Sequence, residues 1–538
     1  MAARRCRRRS GWFRSRSPMR NSIQSWMVCF ALAACGTSAD AHSIDRAFFE
    51  EVARTPDLAG EEPVDRLMRA AGMGPFDHPL VQAAMEVAEA YRSEVLDPID
   101  TSRRRSSFHT DGLGEIRVGA GSRAVTPARG CPLAGYGDRI KTIPFLWNPI
   151  LDPLYYAKLL KASHGVHDEV YAKALVIESD GERACLVGVD AVGVTQLIFE
   201  DVLRAVEPYG IEREGLIIGG SHSHGGPGDA ADRFLWWFAA DLFDLRIYRA
   251  LVDEVAGAII DAVADLEPGR IGVGSTNEDF GLSRNRREGQ TIVDPELAVL
   301  RADDAGGNPK AIVFNFAVHG TMLGGDNMRF TADCMGRARA ELETTLGATA
   351  LFLNGTEGDV SPSSVGGADD WERSQLWGEA MAEHVLSLRD EITTWDRAEL
   401  SGAHVFVDLP APYMRPGFFL EPPAPGNMTV PLFGLVERND TNFSGIRVGP
   451  ALFVSMPGEA TTAIGLEIKE YGDSRGHPRS FVVGLANGHL GYMVSQDEYW
   501  AGGYESGATL YGPETGPLMV ESAEAVIDLL TPSRRRLR

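Results

Sequence analysis

Residues 219–228 read GGSHSHGGPG, and the rest of the chain can be read outward from them. The apolar run Leu216-Ile217-Ile218 leads into this stretch, and glycines flank two histidines, His222 and His224, spaced two apart. A short apolar run bounded by glycine predicts a buried strand that ends in a loop of little side-chain bulk. Such a loop lets a ligand or metal come close to the backbone. Imidazole is the commonest metal ligand and a frequent general acid or base. The question becomes which other residues could reach these two rings.

Four further apolar runs end in the same manner. Residues 311–317 (AIVFNFA) run into His319, and 350–353 (ALFL) into NGTEGDVSP, with Asp359 and Ser361. Residues 451–455 (ALFVS) run into Pro457-Gly458-Glu459, and 481–485 (FVVGL) into Asn487, His489 and Tyr492. Segments 196–206, 246–266, 332–346, 371–388 and 461–471 carry helical periodicity; in the second, Val252, Val255, Ile259, Val263 and Leu266 share one face. This alternation predicts an α/β domain. Ligands in such sheets bind where strands end in loops on one rim. Two histidines and a carboxylate are a recurring catalytic zinc set that leaves a position for water or substrate. Taken singly, each residue has a plainer explanation. Glu459 suits a helix N-terminus, Ser361 before Pro362 suits a turn, and Tyr492 is by default a half-buried aromatic.

The chain has 538 residues, 44% hydrophobic and 24% charged, which is globular composition with enough length for a sizeable core. A formal net charge of -23 argues against nucleic acid, which needs clustered Lys and Arg, and against electrostatic docking on anionic lipid. Of six cysteines, Cys131, Cys185 and Cys334 lie in the body, widely spaced and without a CxxC pair, so a cysteine zinc site and a disulfide framework are not expected. Residues 1–18 are arginine-rich, and Met19 is a second plausible start. Residues 26–34 are apolar, too few to span a bilayer, and end in LAACG at 32–36, similar to a bacterial lipobox. A lipidated Cys35 would tether the protein to a membrane surface without crossing it. The expectation is an exported protein, a periplasmic or outer-membrane-associated lipoprotein or a secreted one; an ordinary cleaved signal is the plainer alternative. Three parts are expected: 1–34 as a targeting segment, 35–110 as a helical spacer or accessory cap with a linker, and 111–538 as the α/β domain that carries the histidines. The Arg103-Arg104-Arg105 run in residues 101–111 suits an exposed linker, and residues 410–431, rich in Pro, Gly and aromatics, read as a long loop or lid.

Together these motifs resemble the neutral/alkaline non-lysosomal ceramidase family. SHSHGGPG is similar to its T-H-T-H-S-G-P-G, FAVHGT to F-A-V-H-P-T, GDVSP to G-D-V-S-P-N, and MPGEATT to V-P-G-E-x-T-T. The stretch LANGHLGYMVSQDEYWAGGYESGATLYGP follows its tyrosine-rich motif, and Asn285-Arg286 fits N-R-S. The resemblance runs in order over roughly residues 116–513. It implies layered sheets flanked by helices, αββα-like, with the active site at strand-end loops. It also implies one Zn2+ per chain held by His222, His319, Glu459 and Tyr492. His224 would touch the metal-bound water or the substrate carbonyl, and Arg286 and Tyr504 would stabilise an oxyanion. Ser361 would be either nucleophile or partner of the substrate's primary hydroxyl; the second is favoured, since no GxSxG elbow surrounds it. The implied activity is amide hydrolysis of a ceramide-like lipid to sphingoid base and fatty acid. The alternatives are a zinc hydrolase of the same fold acting on another amide or ester, or a non-catalytic surface lipoprotein. The sequence departs from the family's pattern at Gly320, where it has proline, and at His489, where it has tyrosine. The sequence ends at Arg538, so the family's C-terminal immunoglobulin-like domain is not expected here.

Overall fold

The computed structural model describes residues 78–102, 104–414, 430–431 and 440–531. In the strand Tyr171–Ser179, Ala172, Ala174 and Val176 pack into one core while Leu175 and Ile177 pack into another. The strands Pro309–Phe316 and Ala451–Ser455 do the same, with Ala311, Val313, Ala451 and Phe453 facing the core that Leu175 and Ile177 enter. Side chains alternate across a strand, so a strand apolar at every position must be covered on both faces.

The cover is a second sheet on one face and helices on the other. A nine-stranded sheet runs in the order Thr349–Asn354, Pro309–Phe316, Leu297–Asp304, Glu267–Thr276, Gly114–Ala124, Tyr171–Ser179, Glu182–Val189, Leu216–Gly220, with Arg397–Ala398 added beside Gly114–Ala124. A five-stranded sheet runs Arg105–His109, Leu400–Asp408, Asp440–Val448, Ala451–Ser455, Ser480–Val483. Ile177, Leu186, Leu300 and Leu351 of the first meet Leu400, Ile446, Phe453 and Val483 of the second. The helices Gln196–Val206, Leu245–Ala264, Asp333–Leu346 and Asp370–Glu391 cover the outer face of the large sheet, and Thr462–Ser474 and Thr515–Leu530 that of the small one. The architecture is therefore the layered αββα arrangement expected.

All five helices and all five strands read from periodicity form, with ends shifted by at most three residues. Two segments bear on the sequence expectation. The helix Pro79–Leu96, in the stretch read as a spacer or an accessory cap, buries Val81, Ala84, Ala88, Val95 and Leu96 in the core shared with Phe199 and Tyr248. The stretch taken as an exposed linker contains the edge strand Arg105–His109, paired antiparallel with Leu400–Asp408. Residues 1–34 and Cys35 lie outside the described residues, as does most of the proposed lid at 410–431, of which Tyr413–Met414 and Val430–Pro431 pair antiparallel. Among the described residues no helix is long and apolar enough to cross a membrane. Cys131, Cys185 and Cys334 are buried free thiols.

Three parallel pairs end on one rim: Glu182–Val189 with Leu216–Gly220, Pro309–Phe316 with Thr349–Asn354, and Ala451–Ser455 with Ser480–Val483. Two asparagines tie the sheets together there. Asn315 Nδ2 donates to the carbonyls of Leu353, Asn354 and Val482, and Asn487 bonds both the N–H of Ile218 and the carbonyl of Leu216.

Candidate metal centre

His222 follows the strand Leu216–Gly220 with φ 63°, a left-handed backbone that is strained for a residue with a Cβ. Neighbouring hydrogen bonds impose it: Ser221 N–H donates to Val189 O, and His222 N–H to Ala191 O. The ring donates from Nδ1 to the Val192 carbonyl at 2.6 Å. A carbonyl only accepts, so Nδ1 carries the proton and the lone pair of the neutral ring sits on Nε2. His319 is mounted likewise, with Nδ1 donating to Glu357 O at 2.7 Å and its backbone N–H to Val360 O. The two Nε2 atoms each stand 3.4 Å from the same oxygen, Oε2 of Glu459.

Glu459 arrives by a two-residue parallel ladder, Glu459–Ala460 against Tyr492–Met493, whose register sets Glu459 opposite Tyr492. The Tyr492 hydroxyl accepts from Arg286 Nη2 at 2.9 Å and lies 3.3 Å from His319 Nε2. Arg286 also donates to Glu505 Oε1 and to the Gly358 carbonyl, each at 2.8 Å, and its guanidinium lies over the rings of Tyr492 and Tyr504. The strand pair Ser283–Asn285 and Val360–Pro362 brings it there, since Arg286 N–H bonds Asp359 O. Tyr504, half exposed, sets its ring edge-on to Tyr492 at 5.5 Å.

The electrostatics call for a cation. Burial, reinforced by the Arg286 charge, pushes His319 down to about 3, so its ring is neutral near pH 7. Burial alone would raise Glu459; the carboxyl stays well below its usual range only against positive charge beside it, which His222 and His319 supply when protonated and a metal ion would supply when they are neutral. A carboxylate oxygen thus faces an imidazole lone pair; both accept, and Oε2 has no formed hydrogen bond. His489, buried and pushed down to about 4 by desolvation, presents another unpartnered Nε2, 3.7 Å from Glu459 Oε1. The candidate ligand atoms of His222, Glu459 and His489 lie within 4.8 Å of one another. Apart from the Tyr492 hydroxyl beside His319, these buried acceptors face no donor among the described residues; such a cluster is costly unless a metal sits in it, and backbone-anchored Nδ1–H groups are the outer support that metal-ligating histidines use.

His224 Nε2 is 3.4 Å from His222 Nε2, its Nδ1 is buried without a partner, and its ring packs edge-on to Tyr136 at 4.4 Å. Arg139 Nη1 donates to the His224 carbonyl at 2.6 Å. Burial, then proximity to His222, holds His224 well below the ordinary histidine range, so this ring too is a neutral base. Ser361 is half-buried in register with Arg284, one residue past the carbonyl that takes the His319 N–H; its hydroxyl has no partner among the described residues. The structure thus gathers seven of the eight expected site residues and leaves Ser361 on the rim beside them.

The family description "Neutral/alkaline non-lysosomal ceramidase, N-terminal" matches residues 154–376 and 426–521, more than half of the chain. The chain belongs to this family. Among curated ceramidases, it is 22% identical to neutral ceramidase A of Dictyostelium discoideum over 67% of this chain and 68% of that one. It is also 22% identical to the neutral ceramidase of Pseudomonas aeruginosa, over 71% and 69% respectively. The crystal structure of neutral ceramidase from Pseudomonas aeruginosa superposes with a TM-score of 0.64 at 22% identity, covering 78% of this chain and 76% of that one.

Within this ceramidase fold two sequence departures acquire causes. At Gly320 an added Cβ would stand 2.3 Å from the His222 carbonyl, because Ser223 and Gly320 form a parallel bridge that locks the two histidine loops together. His489 puts an unpartnered ring nitrogen where the family has tyrosine, and sequence reasoning did not place it among the candidate ligands. Its position at a strand end beside Tyr492 was the available signal. Asn354 was also missed: its Nδ2 donates to the carbonyls of Ser221 and Val318, and its Oδ1 accepts from Val318 and Gly355, joining the His222 loop to the His319 loop.

Proposed function

We propose that this chain is a zinc-dependent amidohydrolase that cleaves the N-acyl bond of ceramide-like lipids into sphingoid base and fatty acid. The observation that carries the metal is the convergence of the Nε2 atoms of His222 and His319 on one unbonded oxygen of Glu459. The names of the ceramidase relatives support the substrate class. His222, His319 and Glu459 would hold Zn2+, with Tyr492 or His489 completing the set. Bound there, zinc would polarise the amide carbonyl and lower the pKa of a coordinated water to about 7.

The remaining steps fall to the protein's own groups. His224, neutral, takes a proton at Nε2 and returns it to the departing amine, as a general base becoming general acid. Arg286, fixed by Glu505 and Gly358, and the half-exposed Tyr504 face the place where negative charge develops and stabilise it. Ser361, unpartnered at the rim, is free to hydrogen-bond the primary hydroxyl of the substrate. Export and attachment through Cys35 belong to the same proposal and rest on the lipobox-like LAACG.

The test is metal analysis of purified protein together with release of fatty acid from a short-chain fluorescent ceramide. Stoichiometric zinc and hydrolysis are expected. Folded protein that binds no zinc would leave a binding module, and zinc without ceramide turnover would leave another amide or ester as substrate. An acyl-enzyme trapped on Ser361 would overturn its role as a hydroxyl partner.

A further inference from the structure

The segment between Ile140 and Leu160, which bridge antiparallel to each other, is a braced loop with an apolar outside. Ile143, Leu146, Trp147, Ile150 and Leu154 are exposed by 52% to 79%. Its only charged residues in 140–155, Lys141 and Asp152, turn inward. Lys141 Nζ donates to the carbonyls of Leu146 and Ala157, and the Asp152 carboxylate accepts from the N–H groups of Tyr156 and Ala157. An uncharged face of this kind on a protein of net charge -23 is a concentrated exception to its surface.

What covers it follows from where its polar groups go. Trp147 Nε1 donates to Asp152 O at 2.8 Å, and the Tyr155 hydroxyl to Phe145 O at 2.6 Å. Asn148 Oδ1 takes the N–H groups of Ile150 and Leu151. The aromatic donors and much of the backbone are satisfied within the loop. A protein partner gains from polar groups left to pair across an interface, whereas hydrocarbon requires them to be satisfied beforehand. The loop also lies between two points that matter. Tyr136 and Arg139, at its start, wall in His224. Phe145 stacks at 4.0 Å on His78, the N-cap of the helix Pro79–Leu96.

We propose that residues 143–154 dock this protein on a zwitterionic or uncharged lipid surface and so present the metal-centre rim to substrate held in that surface. The docking half stands on the loop alone; the delivery of substrate rests on the ceramide-like reading above.

The test uses the full chain with Cys6, Cys29 and Cys35 replaced by serine, which removes the acyl anchor and leaves only the buried Cys131, Cys185 and Cys334. An environment-sensitive dye on Ile150→Cys should brighten and shift to the blue on phosphatidylcholine vesicles, and less on vesicles rich in phosphatidylserine. Trp147→Asp with Ile150→Asp should lower co-sedimentation with phosphatidylcholine vesicles at least tenfold and turnover of vesicle-embedded ceramide to match. Turnover of a short-chain soluble ceramide should stay within twofold. A dye already buried before lipid is added would mean that the chain's own N-terminal segment or a second copy covers the loop, and would overturn the proposal. Equal vesicle binding by the two proteins would overturn it as well. Vesicle binding lost in the variant while the parent hydrolyses neither ceramide would uphold docking and sink the ceramide reading.

Discussion

The two sheets contribute unlike halves to the metal centre. The nine-stranded sheet delivers His222 and His319, each with Nδ1 anchored on a backbone carbonyl and both loops fastened by Asn354. The five-stranded sheet delivers Glu459, Tyr492 and His489 on short loops, with Glu459 Oε2 and His489 Nε2 unpartnered. One half is held by backbone partners without any ion, and the other leaves buried acceptors that an ion would satisfy. Preorganised ligands lose little freedom on binding, so the first half should govern whether metal binds and the second how tightly.

The comparison breaks hardest at the shared oxygen. His319→Ala should strip zinc and lower kcat/KM at least about a thousandfold, since a metal supplies several kcal/mol to the reaction. Ser361→Ala in the same assay should keep the zinc, and metal content measured beside activity separates the two. Asn354→Ala leaves carbonyls of Ser221 and Val318 without donors and should lower stability by about 3 kcal/mol, read by urea unfolding. The loss should be larger than any produced by truncation in the loop of His489. His489→Ala should weaken zinc affinity by about 10- to 100-fold without abolishing binding, measured by competition with a chelator.

Acid sharpens the contrast further. His319 and His489 are pushed down to about 3 and 4 in the fold, below the ordinary value of about 6.5. Between those limits the unfolded chain binds more protons than the folded one, so stability rises with pH. The metal-free protein should therefore lose stability as pH falls below about 6.5, by at most about 1.4 kcal/mol per pH unit for each ring. Thermal unfolding of the apo-protein between pH 7 and 5 checks this, and bound zinc should flatten the dependence until protons displace it.

Much of this was legible in sequence because the signals are local. The strand Ala451–Ser455 and the helix Gln196–Val206 form where periodicity placed them, since period-2 and period-3.6 burial leave a mark in a short window. The helix Pro79–Leu96 also carries an apolar face, but whether it caps the main core or stands apart depends on a partner far along the chain, here Phe199 and Tyr248. The edge strand Arg105–His109 hid behind arginines, which a sheet edge tolerates because its outer side faces water.

For the site the division is sharper. The sequence alone determined residue types at strand ends: two histidines among glycines, a third after AIVFNFA, a carboxylate after a Pro-Gly turn, and a family pattern linking them. Only the tertiary structure decided that Glu459 lies opposite Tyr492, that His489 faces the same carboxylate, and that Asn354 joins the two histidine loops. Those facts depend on the register between strands distant in sequence. Register is set by how two sheets pack face to face, which no window of local sequence contains.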